Sequence, residues 1–106
     1  MTILRAIACL SMMLAVPFTH AADVAAGKAK AQSCAMCHGE MGLSQMPNTP
    51  NLAGQPAGYL AEQLKNFRSG KRSNEVMGVI AKPLTDAEID NLAAWYASIP
   101  VEVKTR

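Results

Sequence analysis

Past residue 22 the apolar positions of this chain recur three and four residues apart, the spacing of a helix face, and nowhere do they alternate long enough for a half-buried strand. Asp23 is placed to N-cap a first helix running to about residue 33, rich in Ala and Lys, with Gly27 on one face. Residues 39–54 carry Gly, Asn and Ser around Pro47 and Pro50 and read as a loop. Pro56 suits a first helical position. After it, Tyr59, Leu60, Leu64 and Phe67 mark one face and Glu62, Lys65 and Arg68 the other, until Gly70 closes the helix. Residues 74–81 predict a short helix that breaks ahead of Pro83. Thr85-Asp86-Ala87-Glu88 is a capping box, and Ile89, Leu92, Tyr96 and Ile99 follow at helical spacing up to Pro100. The pattern predicts a small all-α protein of about four helices.

The N-terminus follows a different rule. Arg5 precedes a mostly apolar stretch from Ala6 to Phe18, and Thr19, His20, Ala21 and Ala22 come next. About thirteen apolar residues fit the core of a secretory signal and fall short of the roughly 20 that a membrane helix needs, so no stable membrane insertion is expected. Cleavage is expected after Ala21, with Ala22 as the alternative. The chain then divides into a cleaved signal peptide, residues 1–21, and one domain, residues 22–106, located in the periplasm. An uncleaved anchor and lipid attachment at Cys9 are the competing readings. Cys9 and His20 leave with the signal. The remainder carries nine Lys plus Arg against eight Asp plus Glu, which is no charge signature for nucleic acid. A domain this short has a marginal apolar core unless something staples it.

Cys34-Ala35-Met36-Cys37-His38 supplies the candidate staple. The spacing C-x-x-C-H is what covalent attachment of a c-type haem requires: two thiols close enough to add across the vinyl groups of one porphyrin, and an imidazole directly after the second to ligate the iron. A thiol/disulfide redox pair and half of a zinc site compete with this reading. Neither is well supplied. No further Cys or His follows in residues 22–106, and no βαβ patterning surrounds the pair.

With His38 the one histidine left after processing, a second axial ligand from this chain comes from Lys or Met. Met36 lies between the cysteines, and Met41 and Met46 follow His38 closely enough that reaching the opposite face of a porphyrin would cramp the loop. Met77 stands 39 positions after His38, in the apolar run Val76-Met77-Gly78-Val79-Ile80 ahead of the last helix. Its competing role is flexible core filler. Met opposite His is a common ligation for an electron-transfer haem.

Cys34-x-x-Cys37-His38-Gly39, Pro50-Asn51-Leu52-Ala53-Gly54-Gln55, Met77, and Leu84-Thr85-Asp86-Ala87-Glu88-Ile89 leading to Leu92-Ala93-Ala94-Trp95-Tyr96 together resemble a class I cytochrome c. The chain is similar to the short bacterial mono-haem forms and to one half of the periplasmic di-haem cytochromes. The resemblance implies a small cytochrome c fold, with helices wrapped around one covalently bound haem c and with His38 and Met77 as axial ligands of the iron. It also implies that the Pro50 carbonyl accepts a hydrogen bond from the proximal imidazole, and that Gly27 meets Trp95 or Tyr96 where the first and last helices cross. The stretch from His38 to Met77 is shorter than in the mitochondrial type, which leaves the haem propionates unassigned, with Arg72 and Asn74 nearest to where such partners would lie. Lys65, Arg68, Lys71 and Arg72 form a basic cluster that reads either as solvated complement to a helix C-terminus or as a docking patch.

The expected activity is shuttling of single electrons, with no catalysis by the chain itself. The expected partners are redox proteins: a donor dehydrogenase or bc-type complex, and an acceptor oxidase or reductase. The alternative is a tightly bound haem subunit of a periplasmic dehydrogenase, such as the cytochrome partner of a flavoprotein in a flavocytochrome c sulfide dehydrogenase. A haem enzyme or gas sensor is the third class, and it would need an exchangeable sixth iron site.

Overall fold

The computed structural model of the chain describes residues 13–17 and 21–106. Most of the expected signal segment, with Cys9 and His20, lies outside the described residues. Met13, Leu14 and Val16 are exposed and carry no secondary structure.

All regular structure among the described residues is helical. The predicted first helix is two pieces, α1 (Val24–Lys30) and a single 3₁₀ turn over Ala31–Ser33, after which Cys34 leads into the short α2 (Ala35–His38). Asp23 caps α1 as expected, its carboxylate accepting from the Ala26 N–H at 3.0 Å. The loop over 39–54 holds no helix or strand. α3 (Ala57–Ser69) begins one residue later than predicted, with Pro56 as its N-cap, and closes on Gly70 in the left-handed conformation at φ 83°. α4 (Glu75–Ala81) and α5 (Asp86–Ser98) follow, with Asn74 and Thr85 as their caps. The Thr85–Glu88 capping box is complete in both directions, at 3.1 Å each way. No helix among the described residues is long and apolar enough to cross a membrane.

α5 organises the rest. α1 and α3 pack against it, and α4 packs against α3. Ile89, Leu92, Ala93 and Tyr96 from α5 are buried together with Leu60, Ala81, Leu84 and Ile99. Burying a side chain the size of Ile89 or Leu92 contributes about 1.5–3 kcal/mol, so these two positions dominate a small core. On α3 the predicted apolar face holds at Leu60, Leu64 and Phe67, but Tyr59 points outward, half exposed.

The crossing of α1 and α5 depends on Gly27. A Cβ built there would lie 1.9 Å from the Asn91 carbonyl oxygen and 3.0 Å from the Trp95 Cβ, so only glycine permits this approach. Of the two aromatics expected at the crossing, Trp95 is the one that meets Gly27, alongside the α5 backbone. The Asp23 N–H donates to the Asn91 side chain at 2.8 Å, and Lys28 stands 5.4 Å over the Trp95 ring.

Two members of the basic cluster are committed inside the fold. Arg68 donates to the Leu84 carbonyl at 2.9 Å and pairs with Asp86 at 2.6 Å, tying α3 to the start of α5. Arg72 stacks 4.6 Å from the Phe67 ring and donates to Gln63 at 2.8 Å.

Candidate functional site

Cys34 and Cys37 flank the first turn of α2, three residues apart on one helical face. Both thiols are unbridged and partly exposed, so they stand as a pair open to one planar partner. The His38 N–H donates to the Cys34 carbonyl at 3.0 Å, which carries the imidazole into the interior one turn after the first thiol. His38 is the one buried charged or polar residue among those described, 8% exposed.

The His38 ring is oriented by the loop. Its Nδ1 lies 2.9 Å from the Pro50 carbonyl. A carbonyl only accepts, so Nδ1 carries the proton and the Nε2 lone pair is free to bind a metal. Two glycines bring that carbonyl into place. Gly39 leaves α2 at φ 84°, and Gly42, at φ 71°, accepts from the Leu52 and Ala53 N–H groups at 2.7 and 3.0 Å. A side chain at Gly42 would run into the Ala53 nitrogen and the Tyr96 ring, both under 3.0 Å away. Asn51 and Ser44 close the loop, the Ser44 N–H donating to the Asn51 carboxamide at 2.7 Å.

Met77 sits in the first turn of α4, where its N–H donates to the Asn74 carboxamide at 2.9 Å. It is half-buried, while Val76, Val79 and Ile80 beside it are exposed by 62%, 72% and 43%. α4 therefore offers an apolar surface next to a thioether that the chain itself leaves uncovered. Asn74, considered in the sequence as a neighbour of the propionates, spends its side chain on the α4 cap, and Arg72 spends its own on Phe67 and Gln63.

The sequence pattern did not reveal a role for Tyr96 beyond packing. Its hydroxyl is buried without a hydrogen-bond partner and lies near the Cys34 thiol. Burial first, and the adjacent thiol second, push its phenol well above the ordinary range, so it stays protonated. The signal is tertiary: nothing local in α5 distinguishes Tyr96 from an ordinary core aromatic.

These residues fit a covalently held haem. Two free thiols at the right spacing lead directly into an imidazole with Nδ1 already engaged, and α4 carries a soft sulfur on an exposed apolar face.

The comparisons with known proteins agree. The family model described as cytochrome c matches residues 24–100. Cytochrome c4 of Thiocapsa roseopersicina is 48% identical over 79 residues, covering 74% of this chain and 41% of that protein. The thiosulfate dehydrogenase electron acceptor of Thiomonas intermedia is 43% identical over 79 residues, covering 74% of this chain and 36% of its own length. Among solved structures, reduced recombinant cytochrome c4 from Pseudomonas stutzeri superposes with a TM-score of 0.73 at 35% identity, over 78% of this chain and 48% of that one. The chain thus spans less than half the length of these three relatives. A helical shell that follows cytochrome c4, a partly exposed thiol pair that runs straight into a carbonyl-oriented imidazole, and a family match over residues 24–100 lead to one conclusion: the chain belongs to the cytochrome c family, whose haem c is bound covalently.

Proposed function

We propose that this protein is an exported single-electron carrier with one haem c, joined through Cys34 and Cys37 and ligated by His38 and Met77. The observation that carries this reading is the 2.9 Å contact between the His38 Nδ1 and the Pro50 carbonyl, directly after the second thiol. Haem held by these residues would supply one-electron exchange between ferric and ferrous iron.

The chain's residues do the rest. Pro50 fixes the His38 ring and raises the basicity of Nε2, since a donor that gives up Nδ1–H density becomes a better σ-donor at the other nitrogen. Met77 contributes a neutral thioether, which favours the ferrous state and a high potential. Asn74 holds the backbone of Met77 through two N–H contacts, at 3.0 Å to Val76 and 2.9 Å to Met77. Leu60, Leu84 and Ile89 exclude water from the interior, which disfavours net charge there and acts in the same direction. Exposed Met36 and Leu43 near α2 suit brief, small-interface encounters with redox partners.

Export rests on residues 1–21, and a purified native protein beginning at Ala22 tests it by mass. The ligand set is tested on the ferric holoprotein: Met77→Ala is expected to lose the sulfur-to-iron charge-transfer band, and its retention refutes Met77. Rapid carbon monoxide binding to the wild-type ferrous protein at neutral pH would favour an enzyme or sensor with an open site.

The similarity to a thiosulfate dehydrogenase electron acceptor favours a second reading, in which the chain accepts electrons while held by a dehydrogenase. Purification from the native periplasm separates the two. A free monomer supports the carrier, and a stable complex with a flavoprotein or other dehydrogenase replaces it with the subunit.

A further inference from the structure

Seven methionines occur in the chain, and three of them, Met36, Met41 and Met46, fall within eleven residues immediately around the second thiol and the imidazole. All three line one open concavity of about 460 Å³ that α2 and the following loop enclose. Methionine usually serves as adaptable filler inside a core. These three are 89%, 51% and 47% exposed, so burial does not account for their gathering.

The backbone beneath them is held while their side chains are free. The Gly39 N–H bonds to the Ala35 carbonyl at 2.9 Å, closing α2 below Met36, and the Gly42 N–H bonds to the Gly39 carbonyl at 3.1 Å, which fixes the turn that carries Met41. The Ser44 hydroxyl lies 3.0 Å from the Cys37 carbonyl and accepts the Met46 N–H at 3.1 Å, so position 46 is clamped to the end of α2. Three long, unbranched thioether side chains thus line one hollow on a held backbone. Glu40 lines the same hollow and supplies one negative charge at its edge.

We propose that Met36, Met41 and Met46 form a binding site for a soft monovalent cation, Cu(I) in chemical class, with ligands distinct from those of the haem iron. Thioether sulfur is neutral and polarisable. It binds soft d¹⁰ monovalent ions and discriminates against hard divalent ones, which prefer carboxylates and water. Three neutral sulfurs with one nearby carboxylate match a single positive charge. None of the three thioethers is a ligand of the proposed haem iron, although Cys37, which the haem would take, lines the same hollow.

The test uses the holoprotein, in which Cys34 and Cys37 are consumed by the haem and cannot capture the metal themselves. Ag(I) is titrated into the ferric form, and Cu(I), without air, into the ferrous form, each against a chromophoric chelator. One equivalent is expected to be retained, with Met ε-methyl NMR shifts at positions 36, 41 and 46 and none at 77. The M36L/M41L/M46L variant keeps the apolar bulk and is expected to bind at least about ten-fold more weakly, with an unchanged haem spectrum. Wild-type protein that retains no metal overturns the site. So does a triple variant that binds as well as wild type, or loss of the sulfur-to-iron charge-transfer band on adding Ag(I), which would put the metal on Met77 instead.

Discussion

Replacing Gly27 by Ala perturbs the close approach of the α1 and α5 backbones. The added methyl would stand 1.9 Å from the Asn91 carbonyl oxygen and 2.5 Å from its carbon. Both belong to the α5 backbone, so no side-chain rotation relieves the contact and the two helices must separate. Overpacking of a fitted contact costs about 1–3 kcal/mol, and a backbone clash lies at the upper end. Against this, Ala in place of Gly in a helix gains about 1 kcal/mol of propensity. The net is about 2 kcal/mol of destabilisation, or a fall in Tm of roughly 8–16 °C for a domain of this size. Separation also lengthens the 2.8 Å bond from Asp23 to Asn91 and disturbs Trp95, whose Cβ is 3.0 Å from the built methyl. The assay is reversible thermal unfolding of the ferric holoprotein followed by far-ultraviolet circular dichroism. Gly58→Ala is the matched control, because a Cβ there meets nothing within 4 Å and its backbone is helical. That variant is expected to be neutral or stabilised by up to about 1 kcal/mol. A Gly27→Ala protein melting within about 2 °C of wild type would refute the reasoning.

Asn74→Ala removes a cap that serves two N–H groups and is expected to cost about 1 kcal/mol in denaturant unfolding, and to let the charge-transfer band vanish at lower alkaline pH because α4 holds Met77 less firmly. An unchanged band with lowered stability would separate the cap from the ligand. Arg68→Gln leaves the Leu84 carbonyl and Asp86 unserved and is expected to destabilise by about 1–2 kcal/mol, whereas Lys65→Gln, in the same basic cluster, should change unfolding little. Asp86 is held below the ordinary carboxylate range by its hydrogen bond to Arg68 and that cation's charge, and Glu88 by its bond to Lys30 and then by the Thr85 N–H. Both therefore favour the folded state while ionised: the contribution is present above the ordinary carboxylate range and fades as pH falls through it and below. Denaturant midpoints measured from neutral pH down to about pH 3 should show that fall, and the double variant Asp86→Asn/Glu88→Gln should flatten it. Equal slopes in the two proteins would count against these pairs.

The reasons behind each feature divide between chain and fold. Caps, breaks and the thiol–imidazole motif involve groups only one to four residues apart, so their chemistry is written in neighbouring positions: Asp23, Asn74 and Thr85 begin their helices, Gly70 ends one, and Cys34, Cys37 and His38 share a turn. The same locality explains the small errors. A continuous α1 and a helical Pro56 are matters of a single hydrogen bond at a helix end, which tertiary packing readily moves. Pairings across the chain were another matter. That Trp95 rather than Tyr96 meets Gly27, that Arg68 and Arg72 are spent on the fold, that Tyr59 turns outward, and that the Tyr96 hydroxyl ends near Cys34 all depend on how α1, α3 and α5 are mutually rotated. The Pro50 contact lay between these cases: family resemblance anticipated it, but the 2.9 Å distance exists because the Gly39 and Gly42 turns fold the loop back over α2. Sequence alone nominated Cys34, Cys37 and His38 for the chemistry, since residue type and short spacing set their reactivity. Tertiary structure decided which of them are free to use it, since a side chain already committed to a helix cap or an ion pair is no longer available to a ligand.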